Sequence, residues 1–183
     1  MGKRVYLSYL LDEDSVVWPG EPTVRIEQDT SIRQNGYNSF KTTLPNHHGT
    51  HMDGPAHFNP DGPRLMELPM EYFCFDRVAT ADVPKGPGEG IVPEDLKPWE
   101  EADLLLLKTG LCKIRDTQPR VYEAQGAFLT PEVCRYLVET FPDLKAIGMD
   151  FLSVGTPANQ LSKQAHRILF GCHNGKYIPA IED

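Results

Sequence analysis

No apolar run in this chain approaches the ~18–20 residues that a membrane-spanning helix needs, so no membrane partner is expected. Blocks of basic residues are missing too. Lys and Arg number 18 against 26 Asp and Glu, giving a net charge of −8. Nucleic acid requires a positive footprint, so it is excluded as a partner. The four cysteines, Cys74, Cys112, Cys134 and Cys172, stand far apart with no Cys-x-x-Cys pair. That spacing suggests neither a disulfide framework nor a thiolate zinc site, and buried, reduced thiols are the expectation. Cys172 and His173 are adjacent, but a nucleophile and its base usually meet from distant segments. Gly-x-Ser-x-Gly is absent, which disfavours a covalent serine route. Internal repeats and low-complexity stretches are absent as well.

What the chain does have is histidine in one place. Four of the six lie between residues 47 and 57: His47-His48-Gly49-Thr50-His51-Met52-Asp53-Gly54-Pro55-Ala56-His57. Neutral imidazoles and a carboxylate are the donors a zinc-like divalent ion takes. On an ideal helix, at ~100° per residue, His47 and His51 share a face but Asp53 and His57 do not. On a strand, at ~3.3 Å per residue, His47 and Asp53 would be about 20 Å apart. Ligands must converge to roughly 2 Å from one ion. The segment is therefore expected to be a tight loop or bent strand end, with Gly49, Gly54 and Pro55 supplying the turns. The two oxygens of Asp53 allow it to bridge two ions.

With 183 residues the chain suits one α/β domain over residues 1–183 with a sizeable core. Met1 to Arg4 followed by Val5 to Leu11 superficially resembles a signal peptide. A small-residue cleavage site is lacking, however, and Asp12-Glu13-Asp14 follows at once. The expectation is a first strand of a cytoplasmic protein, over Val5–Leu10. Thr23–Ile26 and Ser39–Leu44 read as further strands, with a turn at Pro19-Gly20. Proline and glycine punctuate 54–69 and 84–98, which predicts surface loops. Leu104 to Leu107 predicts a strand buried on both faces. Thr130-Pro131-Glu132 supplies an N-cap, a first-turn proline and an acid, and Val133, Leu137, Val138 and Phe141 form the apolar stripe of a helix ended by Pro142. Leu144–Met149 predicts a strand, Ser162–Phe170 a helix presenting His166 and ended by Gly171, and Tyr177–Glu182 a last short strand.

The His-x-Gly-Thr-His-x-Asp-x-Pro-x-His run, with Phe58 after it, resembles the signature of the metal-dependent cyclase family. That family includes bacterial kynurenine formamidases, isatin hydrolases and certain polyketide cyclases and lactone hydrolases. The resemblance extends to Trp18-Pro19-Gly20 upstream, to Gly148-Met149-Asp150 with Ser153, and to Ala165-His166 and Ile181-Glu182. It implies a swivelling β/β/α fold, assembled as a homo-oligomer (dimer or tetramer) whose neighbouring chains help close the pocket. It implies that His47, His51 and Asp53 hold one ion, and that Asp53 bridges to a second completed by His166 and Glu182. His57 matches the catalytic histidine and Trp18 an aromatic that lines the substrate pocket. The implied activity is C–N bond hydrolysis of a small-molecule amide through metal-activated water, most like N-formylkynurenine formamidase of tryptophan catabolism. Zn2+ is the first choice of ion and Mn2+ the runner-up.

Alternatives remain at this stage. The same fold serves isatin, lactone or polyketide-like substrates, and a non-catalytic metal-binding subunit is the different-class reading. His47, His51 and Asp53 can form a structural zinc site, and His57 can be a fourth ligand. His48 is expected to be a bystander, Trp18 can be turn packing, and His166 and Glu182 can be ordinary polar residues. Asp150 and Ser153 can simply organise their loop. Family members continue past the glutamate, often as Glu-Asn-Leu. The sequence here stops at Glu182-Asp183, so truncation of the C-terminal part is an open expectation.

Overall fold

In a computed structural model that describes residues 5–96 and 102–183, the architecture is a mixed α/β domain organised around one five-stranded sheet. In chain order the strands are β1 (Arg25–Thr30), β2 (Ser39–Thr43), β3 (His51–Asp53), β4 (Val78–Asp82), β5 (Gly90–Ile91), β6 (Leu104–Lys108), β7 (Phe128–Leu129), β8 (Ala146–Met149) and β9 (Ala180–Glu182). The helices are α1 (Ile32–Asn35), α2 (Pro119–Ala124), α3 (Pro131–Thr140) and α4 (Ser162–Leu169), with short 3-10 turns between. The central sheet runs β3-β9-β8-β6-β4. β4, β6, β8 and β9 are mutually parallel, and β3 is antiparallel to β9 at one edge.

Local chemistry accounts for most of these elements. β6 lies inside the sheet, with Leu105 and Leu107 almost wholly buried, as its continuous leucines require. The Thr130 side chain accepts the Val133 N–H at the start of α3, and Pro131 occupies the first turn. Val133, Leu137 and Val138 of α3 and Ile168 and Leu169 of α4 join Leu105 and Ile147 in one core. Gly171, at φ 94, ends α4 in the left-handed conformation that glycine tolerates.

Three expectations need correction. Val5–Leu10 forms no strand: no described strand pairs with it, and Tyr6 is 99% exposed. An apolar run is a strand only where a neighbour supplies the ladder. Met1–Arg4 lie outside the described residues. The thiols are free, but Cys134 alone is buried, while Cys74 and Cys172 are exposed. The punctuated stretch 54–69 folds into 3-10 turns at Pro55–His57 and Leu65–Glu67, and 84–98, described as far as Leu96, holds β5 and another such turn. β1 and β2 pair as an antiparallel hairpin with its side chains largely exposed.

Candidate metal centre

The histidine segment bends as its spacing demands. Gly49 takes a φ of 58, turning the chain between His47 and His51. β3 then begins, and its period of two sets His51 and Asp53 on one face. Pairing with β9 aligns His51 opposite Glu182, so the sheet register brings residues from the middle and the end of the chain side by side. Beyond Asp53, the turn at Pro55–His57 folds His57 back, with its N–H donating to the Gly54 carbonyl at 3.0 Å.

Two donor triads result, His47/His51/Asp53 and Asp53/His166/Glu182, and they share Asp53. In the first, His47 Nδ1 lies 2.5 Å and His51 Nε2 3.3 Å from Asp53 Oδ1, and the two ring nitrogens are 3.2 Å apart. In the second, His166 Nε2 lies 4.0 Å from Asp53 Oδ2 and 3.7 Å from Glu182 Oε1. Glu182 Oε2 faces His51 Nε2 at 3.8 Å, linking the triads. Asp53, His166 and Glu182 are buried, with relative exposures of 2–3%.

The donor chemistry fits a divalent ion. His51 Nδ1 donates to the Gly49 carbonyl at 2.8 Å and His166 Nδ1 to the Ser162 carbonyl at 2.7 Å. A carbonyl only accepts, so the proton is fixed on Nδ1 and Nε2 is left facing carboxylate oxygens. This is the arrangement in which metal-ligating histidines are usually held. Asp53 Oδ1 is buried and has no hydrogen-bond partner assigned among the described residues, although His47 and His51 lie within 3.3 Å of it. Donors about 2.0–2.2 Å from one ion sit roughly 3–3.5 Å apart, which two of the three spacings in the first triad match.

The carboxylates also favour positive charge at this site, whether a proton or a cation. Burial opposes charge on His51, but the Asp53 carboxylate, then Glu182 and the Gly49 carbonyl, outweigh it and raise its pKa to about 9. Burial likewise opposes ionisation of Asp53, yet His47 and His51 hold it well below the usual carboxylate range. His166 is raised against its burial by Glu182. His57 goes the other way: burial, joined by repulsion from His47 and His166, lowers it against the pull of Asp53.

His57 belongs to neither triad. Its Nε2 is 3.6 Å from Asp53 Oδ2, and its ring lies 4.0 Å from that of His47. Phe58 stacks on His166 at 4.4 Å and meets His57 edge-on at the same distance. All these groups floor a cavity of about 540 Å³. Trp18, half-buried, lines its wall with Val16, Leu152 and Phe58. Glu21 and Lys163 reach the same cavity from exposed positions. The structure thus brings together every candidate residue: Trp18, His47, His51, Asp53, His57, His166 and Glu182.

Bystanders separate cleanly. His48 is buried outside the cavity lining, with neither ring nitrogen bonded to a described group. Asp150 organises the nearby loop after β6, accepting from the Thr109 and Gly110 N–H groups and the Thr109 hydroxyl. Ser153 reaches further, its hydroxyl donating to Glu182 Oε1 at 3.0 Å beside the Val154 N–H at 2.7 Å. His173 bonds Glu139 and takes no part with Cys172. Sequence reasoning missed Arg115, Tyr122 and Asp183, which bond one another at the residue that follows Glu182. Only the adjacency of Asp183 to Glu182 offered a signal.

Comparison with known proteins bears on the family and the fold. A family model described as "Putative cyclase" matches residues 5–156. An uncharacterized protein of Haemophilus influenzae is 40% identical over 119 residues, 63% of this chain and 84% of its own. The kynurenine formamidase of Geobacillus thermodenitrificans is 29% identical over 179 residues, 94% of this chain and 79% of its own. Among solved structures, isatin hydrolase A from Labrenzia aggregata, bound to benzyl benzoate, superposes with a TM-score of 0.75 at 24% identity, covering 98% of this chain and 80% of that one. At that identity the likeness establishes the fold.

Proposed function

The chain belongs to the cyclase family, and from that premise we propose that it is a metal-dependent hydrolase cleaving the C–N bond of an aryl amide, most like a kynurenine formamidase. One observation carries the reading. Two donor triads meet at a single buried carboxylate, Asp53, on the floor of a cavity of about 540 Å³, a size that suits a small aromatic amide. His47, His51 and Asp53 would hold one ion, and Asp53, His166 and Glu182 a second, with Zn2+ preferred over Mn2+ for this donor set. Such an ion, when bound, polarises a carbonyl and lowers the pKa of coordinated water from 15.7 to roughly 7.

The chain's own residues do the rest. Asp53, held ionised by its histidines, keeps the donors converged. His57 lies outside both triads and is kept neutral near pH 7 by its lowered pKa, so its Nε2 is free to accept a proton and pass it to the departing nitrogen. Water supplies hydroxyl to the acyl carbon and hydrogen to the amine. Trp18 stacks on the aromatic portion, and Val16, Leu152 and Phe58 limit the access of bulk water. Isatin, lactone or polyketide-like substrates remain the runners-up on the same apparatus, and a non-catalytic metal-binding subunit is the reading from another class.

Assembly as a homo-oligomer, dimer or tetramer, and a cytoplasmic location belong to the same proposal. Tyr6, Leu7, Leu10 and Phe40 expose apolar surface that a neighbouring copy would cover. Among the described residues no helix is long and apolar enough to cross a membrane.

A panel of N-formyl anilide, isatin and lactone substrates tests the chemistry. His57→Ala should keep its ions by elemental analysis and lose about 10²–10⁴-fold in turnover. Full rate in that variant would remove His57 from the mechanism. Turnover indifferent to chelation would remove the ion.

A further inference from the structure

We propose that Arg115 and Asp183 form a brace that positions Glu182 against the histidine loop, and so sets the affinity of the ion Glu182 serves; the inference rests on the metal reading above. The residues close a ring of contacts. Arg115 Nε donates to Asp183 Oδ1 at 2.8 Å and Nη2 to Oδ2 at 2.7 Å, a two-pronged pair. Tyr122, fully buried, adds its hydroxyl to Oδ1 at 2.9 Å. The Asp183 main-chain carbonyl accepts the Thr50 hydroxyl at 2.6 Å. Thr50 Oγ1 in turn accepts the Tyr9 N–H at 3.1 Å, and the Tyr9 ring lies 3.8 Å from the Arg115 guanidinium carbon.

Two members of that ring are neighbours of proposed ligands. Asp183 directly follows Glu182, and Thr50 directly precedes His51. Thr50 and Asp183 therefore tie the two segments at the point where His51 pairs with Glu182 across the β3–β9 edge. From the other side, the Ser153 hydroxyl and the Val154 N–H hold Glu182 Oε1. The carboxylate is pinned between them, with Oε2 turned toward His51.

Charge gives the brace a second role. Asp183 lines the same cavity as Asp53 and Glu182. Unpaired, it would be a third carboxylate competing for the ion. The guanidinium occupies both its oxygens and keeps it out of the donor set. Buried ion pairs seldom raise stability above what an apolar substitute gives, so packing alone does not account for this one.

The test loads the full-length chain with Zn2+ and titrates it against a chromophoric chelator, reading stoichiometry and affinity. It compares wild type with Arg115→Ala, Arg115→Lys and Tyr122→Phe. Arg115→Ala should weaken at least one zinc by about 10–100-fold, as loss of outer partners does. Arg115→Lys keeps the charge but not the fork and should fall between. Tyr122→Phe should shift the same ion in the same direction by a smaller factor. If Arg115→Ala fails to fold, the other two variants decide. Variants that melt earlier yet hold zinc as wild type does would show the cluster to be merely structural and overturn the brace alone. A wild type that takes up no zinc would overturn the metal reading and the brace together.

Discussion

Replacing Gly155 with alanine should disturb the second triad from a position that touches no ligand. A Cβ at Gly155 would stand 2.1 Å from Ser162 Oγ, 2.4 Å from Ser162 Cβ and 2.9 Å from Ser162 Cα. Ordinary carbon contacts lie near 3.5–4.0 Å. Rotating the serine hydroxyl away does not relieve the approach to Cα, so the start of α4 must retreat by roughly 1 Å to restore such a contact. His166 rides on that helix, anchored through Nδ1 to the Ser162 carbonyl. Metal sites tolerate errors of only about 0.2 Å, so a retreat of that size takes His166 out of range. Gly155 also belongs to the loop holding Glu182, since its N–H donates to Ser153 Oγ at 3.3 Å.

Overpacking of this kind costs about 1–3 kcal/mol, which for a chain this size lowers Tm by about 2–12 °C. Calorimetric titration with Zn2+ and thermal denaturation read the two effects together. The ion shared by Asp53, His166 and Glu182 should be lost or severely weakened, while that held by His47, His51 and Asp53 is retained. Adding Ser162→Gly, which removes two of the three clashing atoms, should recover part of the Tm. Wild-type melting with both ions bound at wild-type affinity would refute the reasoning from packing to ligand placement.

Two further outcomes follow from the charges. His51 has its folded pKa raised from 6.5 to about 9, so in chelator-treated protein its contribution to stability is complete below about pH 6.5 and disappears as pH rises through about 9. Melting curves between those values should fall with pH, and a His51→Ala control should flatten the trend; a flat wild-type profile contradicts the pairing with Asp53. Lys163, the one cation other than histidine lining the cavity among the described residues, is exposed, and a contact there is worth at most about 1 kcal/mol. Lys163→Met should therefore raise KM about two- to fivefold for a formyl anilide carrying a carboxylate and leave that for plain formanilide unchanged; equal effects on both would deny Lys163 a part in recognition.

Legibility tracked how local the determining physics was. The histidine segment announced its donors and its need for a sharp bend, because both follow from residue type and spacing within eleven positions. α3 carried its own start signal in Thr130-Pro131, and β6 its burial in four consecutive leucines. Val5–Leu10 misled because its composition suits a strand, whereas strand formation depends on a partner that no described segment supplies. β4 was overlooked because Val78-Ala79-Thr80-Ala81-Asp82 is short and only weakly apolar; its pairing with β6 decides it. The cysteine expectation failed at Cys74 and Cys172, which lie just past a 3-10 turn and in a turn, both at the surface. Arg115 was invisible as an isolated residue, since its partner stands 68 positions away and meets it only in the folded sheet, where β8 alone separates β6 from β9. The triads themselves were legible as a resemblance. Their geometry, with the Nδ1 atoms of His51 and His166 bound to backbone carbonyls and Asp53 at the join, required the fold.

The central claim is that the carboxylate of Asp53 joins two cation sites. An anomalous-difference map from crystals of untreated protein, collected at the zinc and manganese edges, tests it directly. The account predicts peaks about 2.0–2.2 Å from the donor atoms of the two triads, with Asp53 touching both where two are present. A map without a peak at either triad, from protein that also takes up no added ion, would contradict it.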